Sequence, residues 1–201
     1  MTTSPTGLRE RKKAKTRAAL REHAMRLIEE QGFAATTVEQ IAEAAEVSPS
    51  TFFRYFPTKE DAVLVDDVDA VLVEAIRAQP ADLAPIEAIL RAMREVFGNL
   101  SPEMWAFERR RQVLILGVPE LRMRMMHQMT DAIDLMAGVI AERAGLPADD
   151  FSARVTAGAA VGAMLAVLPA GRVAPVEGVT PDDYRRLEQA LTLLQQGLPL
   201  G

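Results

Sequence analysis

The sequence predicts an all-α fold of about nine helices arranged in two parts, on three observations. Apolar residues recur three and four positions apart along most of the 201 residues, the spacing that lines one face of a helix. No stretch alternates apolar and polar residues as a half-buried strand does. Start and stop signals punctuate the periodic segments: Ser or Thr ahead of Pro, then isolated Gly or Pro.

Residues Met1 to Gly7 are rich in Ser, Thr, Pro and Gly, and 1–9 is read as a disordered arm. A first helix is expected from Glu10 to Gln31, with Leu20, Ala24, Leu27 and Ile28 as its apolar stripe and Gly32 as its stop. Thr37 followed by Gln40 is a capping box, so a second helix begins at Val38 and is over by Val47. Ser48 caps a third, Pro49 to Phe56, with proline at the first position, where no N–H is needed. Pro57 ends it, and Thr58 caps a fourth helix expected from Lys59 to Ala78.

The following helices are expected at Ile86 to Asn99, Pro102 to Leu116, Pro119 to Ala144, Asp150 to Leu168 and Asp182 to Gln196. Loops fall at Gln79 to Pro85 and at the longer Pro169 to Pro181. The Asp150 helix is rich in Ala and Gly, which permits close helix–helix approach. The boundaries that result are 1–9 for the arm, 10–58 for a three-helix first domain and 59–201 for a second.

Composition is 49% hydrophobic and 25% charged, ordinary for a globular protein. With no cysteine, disulfides and thiolate zinc sites are excluded. No apolar run reaches the length of a membrane span, and no secretory apolar region precedes the charged stretch, so a cytoplasmic location is expected. The net charge of −5 is unevenly spread: Leu8 to Arg21 holds seven basic residues and one acid. A basic tip on an acidic body suits a chain that meets phosphates with one end.

Two short helices joined by a tight turn make a helix-turn-helix, whose second helix enters a DNA groove. Ser48, Pro49, Ser50 and Thr51 present hydroxyls and little bulk at its start, Phe52 and Phe56 turn inward, and Arg54 and Tyr55 lie outward. Thr37, Ile41, Ala42, Ala45, Val47, Ser48, Ser50, Thr51, Phe52, Phe53, Tyr55, Phe56 and Lys59 together resemble the DNA-binding domain of the tetracycline-repressor (TetR) family. The likeness is strong over residues 10 to 60. It implies DNA contacts at Thr37, Ser48, Pro49, Ser50, Thr51, Phe53, Arg54, Tyr55 and Lys59.

Two positions depart from the family pattern. Glu46 stands where the family has Gly, at a cost if that backbone is left-handed. Phe53 replaces a Tyr whose hydroxyl touches phosphate in the family, which leaves Tyr55, Thr37 and Lys59 to hold the DNA backbone.

The resemblance further implies a second domain that binds a small-molecule effector and forms a homodimer through its last two helices. Effector candidates are Met93, Phe97, Trp105, Phe107, Leu114, Leu121, Met125, Met129 and Ile133, where adaptable methionines suit apolar ligands. Of Arg109, Arg110 and Arg111, one could pair with an anionic ligand group, and His127 could sit nearby. The stretch Trp105 to Met129, centred on GVPELRMRM, is similar to TetR-type regulators of acyl-CoA-like ligands.

The expected function is a ligand-responsive repressor released from a palindromic operator by a small apolar or amphipathic effector. A helical lipid-carrier or interaction protein without DNA binding is the alternative. An enzyme is not expected: the sequence has two histidines, His23 and His127, and no nucleophile constellation or Gly-rich phosphate loop. No cofactor or metal is expected either.

Overall fold

The computed structural model of the chain describes residues 5–65, 67–167 and 181–199. Among the described residues there are ten helices and no strand. They are α1 (Pro5–Gln31), α2 (Val38–Ala44), α3 (Pro49–Tyr55), α4 (Asp61–Leu64), α5 (Asp67–Ala78), α6 (Pro85–Gly98), α7 (Pro102–Gly117), α8 (Pro119–Ala144), α9 (Phe151–Val167) and α10 (Pro181–Gln195). The chain divides into two compact units, Met1–Val65 and Asp66–Gly201.

The first unit is built on aromatic anchors. Phe52 and Phe56 are fully buried with Leu20 and Ala24 of α1, Ile41 and Ala42 of α2 and Ala62 of α4. Burying each such ring contributes about 1.5–3 kcal/mol. The two rings lie 5.8 Å apart, and the Arg17 guanidinium sits 5.2 Å over that of Phe56.

Two expectations are corrected here. The first helix opens at Pro5 rather than Glu10, so residues 5–9 of the segment read as a disordered arm are helical; residues 1–4 lie outside the described residues. Proline suits a helix's first position, and the Arg, Glu, Lys and Ala that follow are strong helix formers. The single helix expected from Lys59 to Ala78 is instead α4 and α5: α4 stops at Leu64, and Val65 is extended (φ −72°, ψ 121°). All four residues of α4 are buried, so apolar periodicity carried no sign of the stop, whereas the aspartates at 66 and 67 are residue types that favour helix starts.

In the second unit, Ile76, Ile89, Leu90, Met93, Val139, Ile140 and Leu191 share one core with Ala153, Ala157 and Ala160 of α9. Those alanines let α9 lie close on α8. Ser101 caps α7 by accepting the Met104 N–H at 3.2 Å. Arg143, late in α8, donates to the carbonyls of Ile76 (2.9 Å), Gln79 (2.6 Å) and Pro80 (2.7 Å), closing the C-terminus of α5 with one guanidinium. Arg94 to Glu188 (2.9 Å) and Arg77 to Glu142 (3.1 Å) cross between helices at exposed positions, where such pairs contribute little. The loop expected at Pro169 to Pro181 falls outside the described residues except for Pro181, which opens α10. Among the described residues, no helix is long and apolar enough to cross a membrane.

Candidate nucleic-acid interface and effector site

The α2–turn–α3 segment is held by caps at the start of each helix and by a closure between them. Thr37 accepts the Gln40 N–H (3.3 Å), while Gln40 Oε1 accepts from the Thr37 N–H (2.9 Å) and from Gln31 Nε2 (2.9 Å). The capping box thereby also ties α1 to α2, a link through Gln31 that no local sequence signal announced. At the other end of α2, the Glu46 N–H reaches Glu43 O and the Val47 N–H reaches Ala42 O, both at 2.9 Å. This paired closure requires a left-handed residue between the two helices, and Glu46 supplies it at φ 55°.

Ser48 then starts α3. Its Oγ accepts the Thr51 N–H at 3.1 Å and shares hydrogens with Ser50 Oγ (2.8 Å) and Thr51 Oγ1 (3.0 Å). The hydroxyls at the tip of the helix are thus partly spent on one another. With Phe52 and Phe56 facing inward, helical spacing sets three outward rows on α3: Pro49 with Phe53, Ser50 with Arg54, and Thr51 with Tyr55. Pro49, Ser50, Phe53 and Arg54 are exposed, while Thr51 and Tyr55 are half-buried. The Arg54 guanidinium sits 5.5 Å over the Tyr55 ring.

Lys59 is placed differently from a groove-facing cation. Its Nζ donates to Phe33 O (2.7 Å) and Thr36 O (3.0 Å) and lies 4.0 Å over the Phe33 ring. It is half-buried and anchors the segment after α3 to the turn before α2. Thr36, which the sequence did not single out, is buried and donates its hydroxyl to Gly32 O at 2.9 Å. Thr37 and Ser48 are exposed despite their capping roles. Of the seven basic residues between Leu8 and Arg21, Arg9, Arg11, Lys12, Lys13 and Lys15 are exposed on α1, whereas Arg17 is half-buried and Arg21 buried.

In the second unit, Met93 is in the core with Phe97 and Ile133 packed against it. Phe97 also meets Trp105 (6.1 Å) and Tyr184 (4.8 Å), and Trp105 meets Tyr184 at 6.4 Å. Tyr184 belongs to α10 and was missed, because only tertiary packing brings it to Phe97. Among the described residues its buried hydroxyl has no hydrogen-bond partner, and burial, reinforced by Glu188, pushes the phenol well above its usual range. Leu114 and Leu121 are buried; Phe107, Met125 and Met129 are half-buried. Arg111 is buried in a two-pronged pair with Glu108 (2.6 and 2.8 Å), Arg109 is exposed and Arg110 half-buried. His127 is exposed. A small cavity of about 50 Å³, lined by Ile76, Leu83, Pro85, Ile140 and Arg143 among others, includes none of the expected effector residues and is far smaller than a small-molecule site.

Outward on α9, opposite the alanines, Phe151 (77% exposed), Val155 (53%), Gly158 and Gly162 share one apolar face.

Residues 20–64 match the family described as bacterial regulatory proteins, tetR family, and residues 83–199 match the MftR C-terminal domain. The HTH-type transcriptional regulator TcmR of Streptomyces glaucescens is 36% identical over 151 residues, 72% of this chain and 67% of that protein. EthR of Mycolicibacterium smegmatis, another HTH-type transcriptional regulator, is 38% identical over 89 residues, 41% of this chain and 39% of EthR. The structure of Thermus thermophilus FadR, a TetR-family repressor in complex with lauroyl-CoA, aligns with TM-score 0.54 and 27% identity over 92% of this chain and 96% of FadR. SmeT, repressor of a multidrug efflux pump of Stenotrophomonas maltophilia, aligns with TM-score 0.55 and 21% identity over 89% of each chain, a likeness of fold.

Proposed function

The chain belongs to the TetR family of bacterial regulatory proteins, DNA-binding transcriptional regulators, and from that premise we propose a homodimeric repressor that an amphipathic effector releases from a palindromic operator. The observation that carries the reading is α3: capped at Ser48, anchored by Phe52 and Phe56, and presenting Pro49, Ser50, Phe53 and Arg54 outward. Thr37, Ser48, Thr51 and Tyr55 stand beside that face for phosphate and sugar contacts. Lys59 serves the same interface by holding the turn from behind. The exposed cations of α1 add sequence-independent attraction to phosphate.

One recognition helix reads too few bases for an operator, and two set about one DNA turn (~34 Å) apart read a palindrome. The apolar face of α9, with Phe151 and Val155 uncovered in the single chain, supports dimerisation through α9 and α10. Supporting the effector half are the aromatic group of Phe97 and Trp105 and the half-buried Met125, Met129 and Ile133, an environment suited to an acyl chain. The FadR likeness makes an acyl-CoA the effector class to try first. Release follows only if the effector binds the DNA-incompetent form more tightly. Regulatory rather than catalytic action and a cytoplasmic location complete the proposal.

The test is binding of the purified protein to genomic fragments, including the one upstream of its own gene, across a salt series with and without lauroyl-CoA. The expected result is dimeric, salt-sensitive binding to a palindromic site that lauroyl-CoA abolishes. Binding unaffected by lauroyl-CoA discards that ligand class and keeps the repressor. Failure to retain any fragment overturns the DNA-binding reading and leaves a helical carrier or interaction protein.

A further inference from the structure

Phe53 is an aromatic side chain 52% exposed on the helix offered to DNA. Its ring is set edge-on against fully buried Phe52, with centroids 5.6 Å apart and planes at 88°. An exposed phenylalanine held by a buried neighbour presents a fixed apolar surface rather than a swinging one. It shares its row with Pro49, one helical turn earlier and also exposed.

The rest of α3 offers polar rather than apolar chemistry to the bases. The hydroxyls of Ser48, Ser50 and Thr51 are joined to one another, which leaves Arg54 as the cation of the outward face. In the major groove, one base-edge group rewards apolar contact over hydrogen bonding, the C5 methyl of thymine.

We infer that Phe53, with Pro49 beside it, is a specificity-determining residue that reads a thymine methyl in each operator half-site. The inference rests on the DNA-binding reading above and adds the chemistry of one contact. Tyr at this position offers a hydroxyl to phosphate in the family the sequence resembles. Phe keeps the ring and drops that hydroxyl, shifting the position from holding the backbone to reading a base.

The experiment uses the full-length protein. An operator is first selected from randomised duplexes, and each thymine is then replaced singly by deoxyuridine, which removes only the C5 methyl. For the wild type, one replacement per half-site is expected to weaken binding about fourfold, the worth of one buried carbon. Phe53→Ala is expected to bind the thymine and uracil duplexes equally, and Phe53→Tyr, which keeps the ring, to retain the preference. Phe53→Gln gives the same comparison as alanine with a longer, polar side chain.

A wild type indifferent to every replacement overturns the assignment, as do alanine and glutamine variants that keep the full preference. Failure of the wild type to enrich any sequence overturns the DNA-binding reading and this inference with it, a result distinct from an operator bound without regard to its methyl groups.

Discussion

Replacing Glu46 by glycine should stabilise the first unit. Glu46 sits at φ 55°, between Ala45 and the start of α3, in the closure that binds Glu46 N–H to Glu43 O and Val47 N–H to Ala42 O. Elsewhere in the chain the same pair of bonds is closed by glycine: Gly145 at φ 65° after α8 and Gly197 at φ 81° after α10. A left-handed backbone costs a residue bearing a Cβ about 1–2 kcal/mol. Glycine avoids that cost but loosens the unfolded chain, which takes back about 0.4–1 kcal/mol. The net gain for Glu46→Gly is therefore about 0.5–1 kcal/mol.

Glu46 is exposed, so the substitution removes no packing. Native-state hydrogen exchange at the amides of Ile41 and Ala42, both fully buried, reads the effect directly. Exchange through opening of the first unit should slow about two- to fivefold. Unchanged or faster exchange would refute the argument, by showing that the left-handed conformation carries no strain worth relieving or that the glutamate side chain supports the turn.

Other predictions follow from side chains that the fold has engaged. Lys59→Ala leaves the Phe33 and Thr36 carbonyls without their ammonium donor and should cost about 1.5–3 kcal/mol, seen as a lower urea midpoint by circular dichroism; an unchanged midpoint with weakened operator binding would instead make Lys59 a phosphate contact. Arg111→Met takes the buried guanidinium from Glu108, which keeps the Gln112 amide as a donor, and should cost about 1.5–3 kcal/mol, most of it recovered when Glu108→Leu is added; a single variant as stable as wild type would show that the pair is not buried in solution. Tyr184→Phe removes a buried hydroxyl that has no partner among the described residues and should be neutral or stabilising by about 1 kcal/mol in thermal melts, and a clear loss of stability would reveal a partner. Because burial raises the folded phenol while the unfolded one ionises near pH ~10, the stability tied to Tyr184 is whole below that pH and declines as pH rises past it. The decline should be shallower in Tyr184→Phe.

Much of the first unit was legible because its signals are local. Thr37 with Gln40, Ser48 with Pro49, and Gly32 each act within one turn of where they stand in the sequence, and all three are used as their chemistry suggests. The left-handed turn was legible too, as a conditional cost at Glu46. Long-range engagement left no mark in the sequence. Lys59 reads as a cation beside a recognition helix until its partners, 26 and 23 residues earlier, are seen. The Arg109 to Arg111 run reads as one basic patch, yet Arg111 is drawn inward by Glu108 one turn before it, while Arg109 stays exposed. The same holds for Tyr184: on a helix expected to serve dimerisation, nothing local ties it to Phe97 and Trp105.

The placement of the aromatic residues has an optical consequence. The chain holds one tryptophan and two tyrosines. Trp105 and Tyr184 touch in the second unit, and Tyr55 stands alone in the first, on α3. Light absorbed at the red edge of the protein spectrum is therefore emitted from a single indole between α6 and α10, and light collected by Tyr184 passes to it. The DNA-reading half is dark in that channel, and Tyr55 answers only to shorter exciting wavelengths. Unlabelled protein thus carries one reporter in the effector half and another on the recognition helix, and the order in which the halves respond to an effector can be followed by choice of wavelength alone.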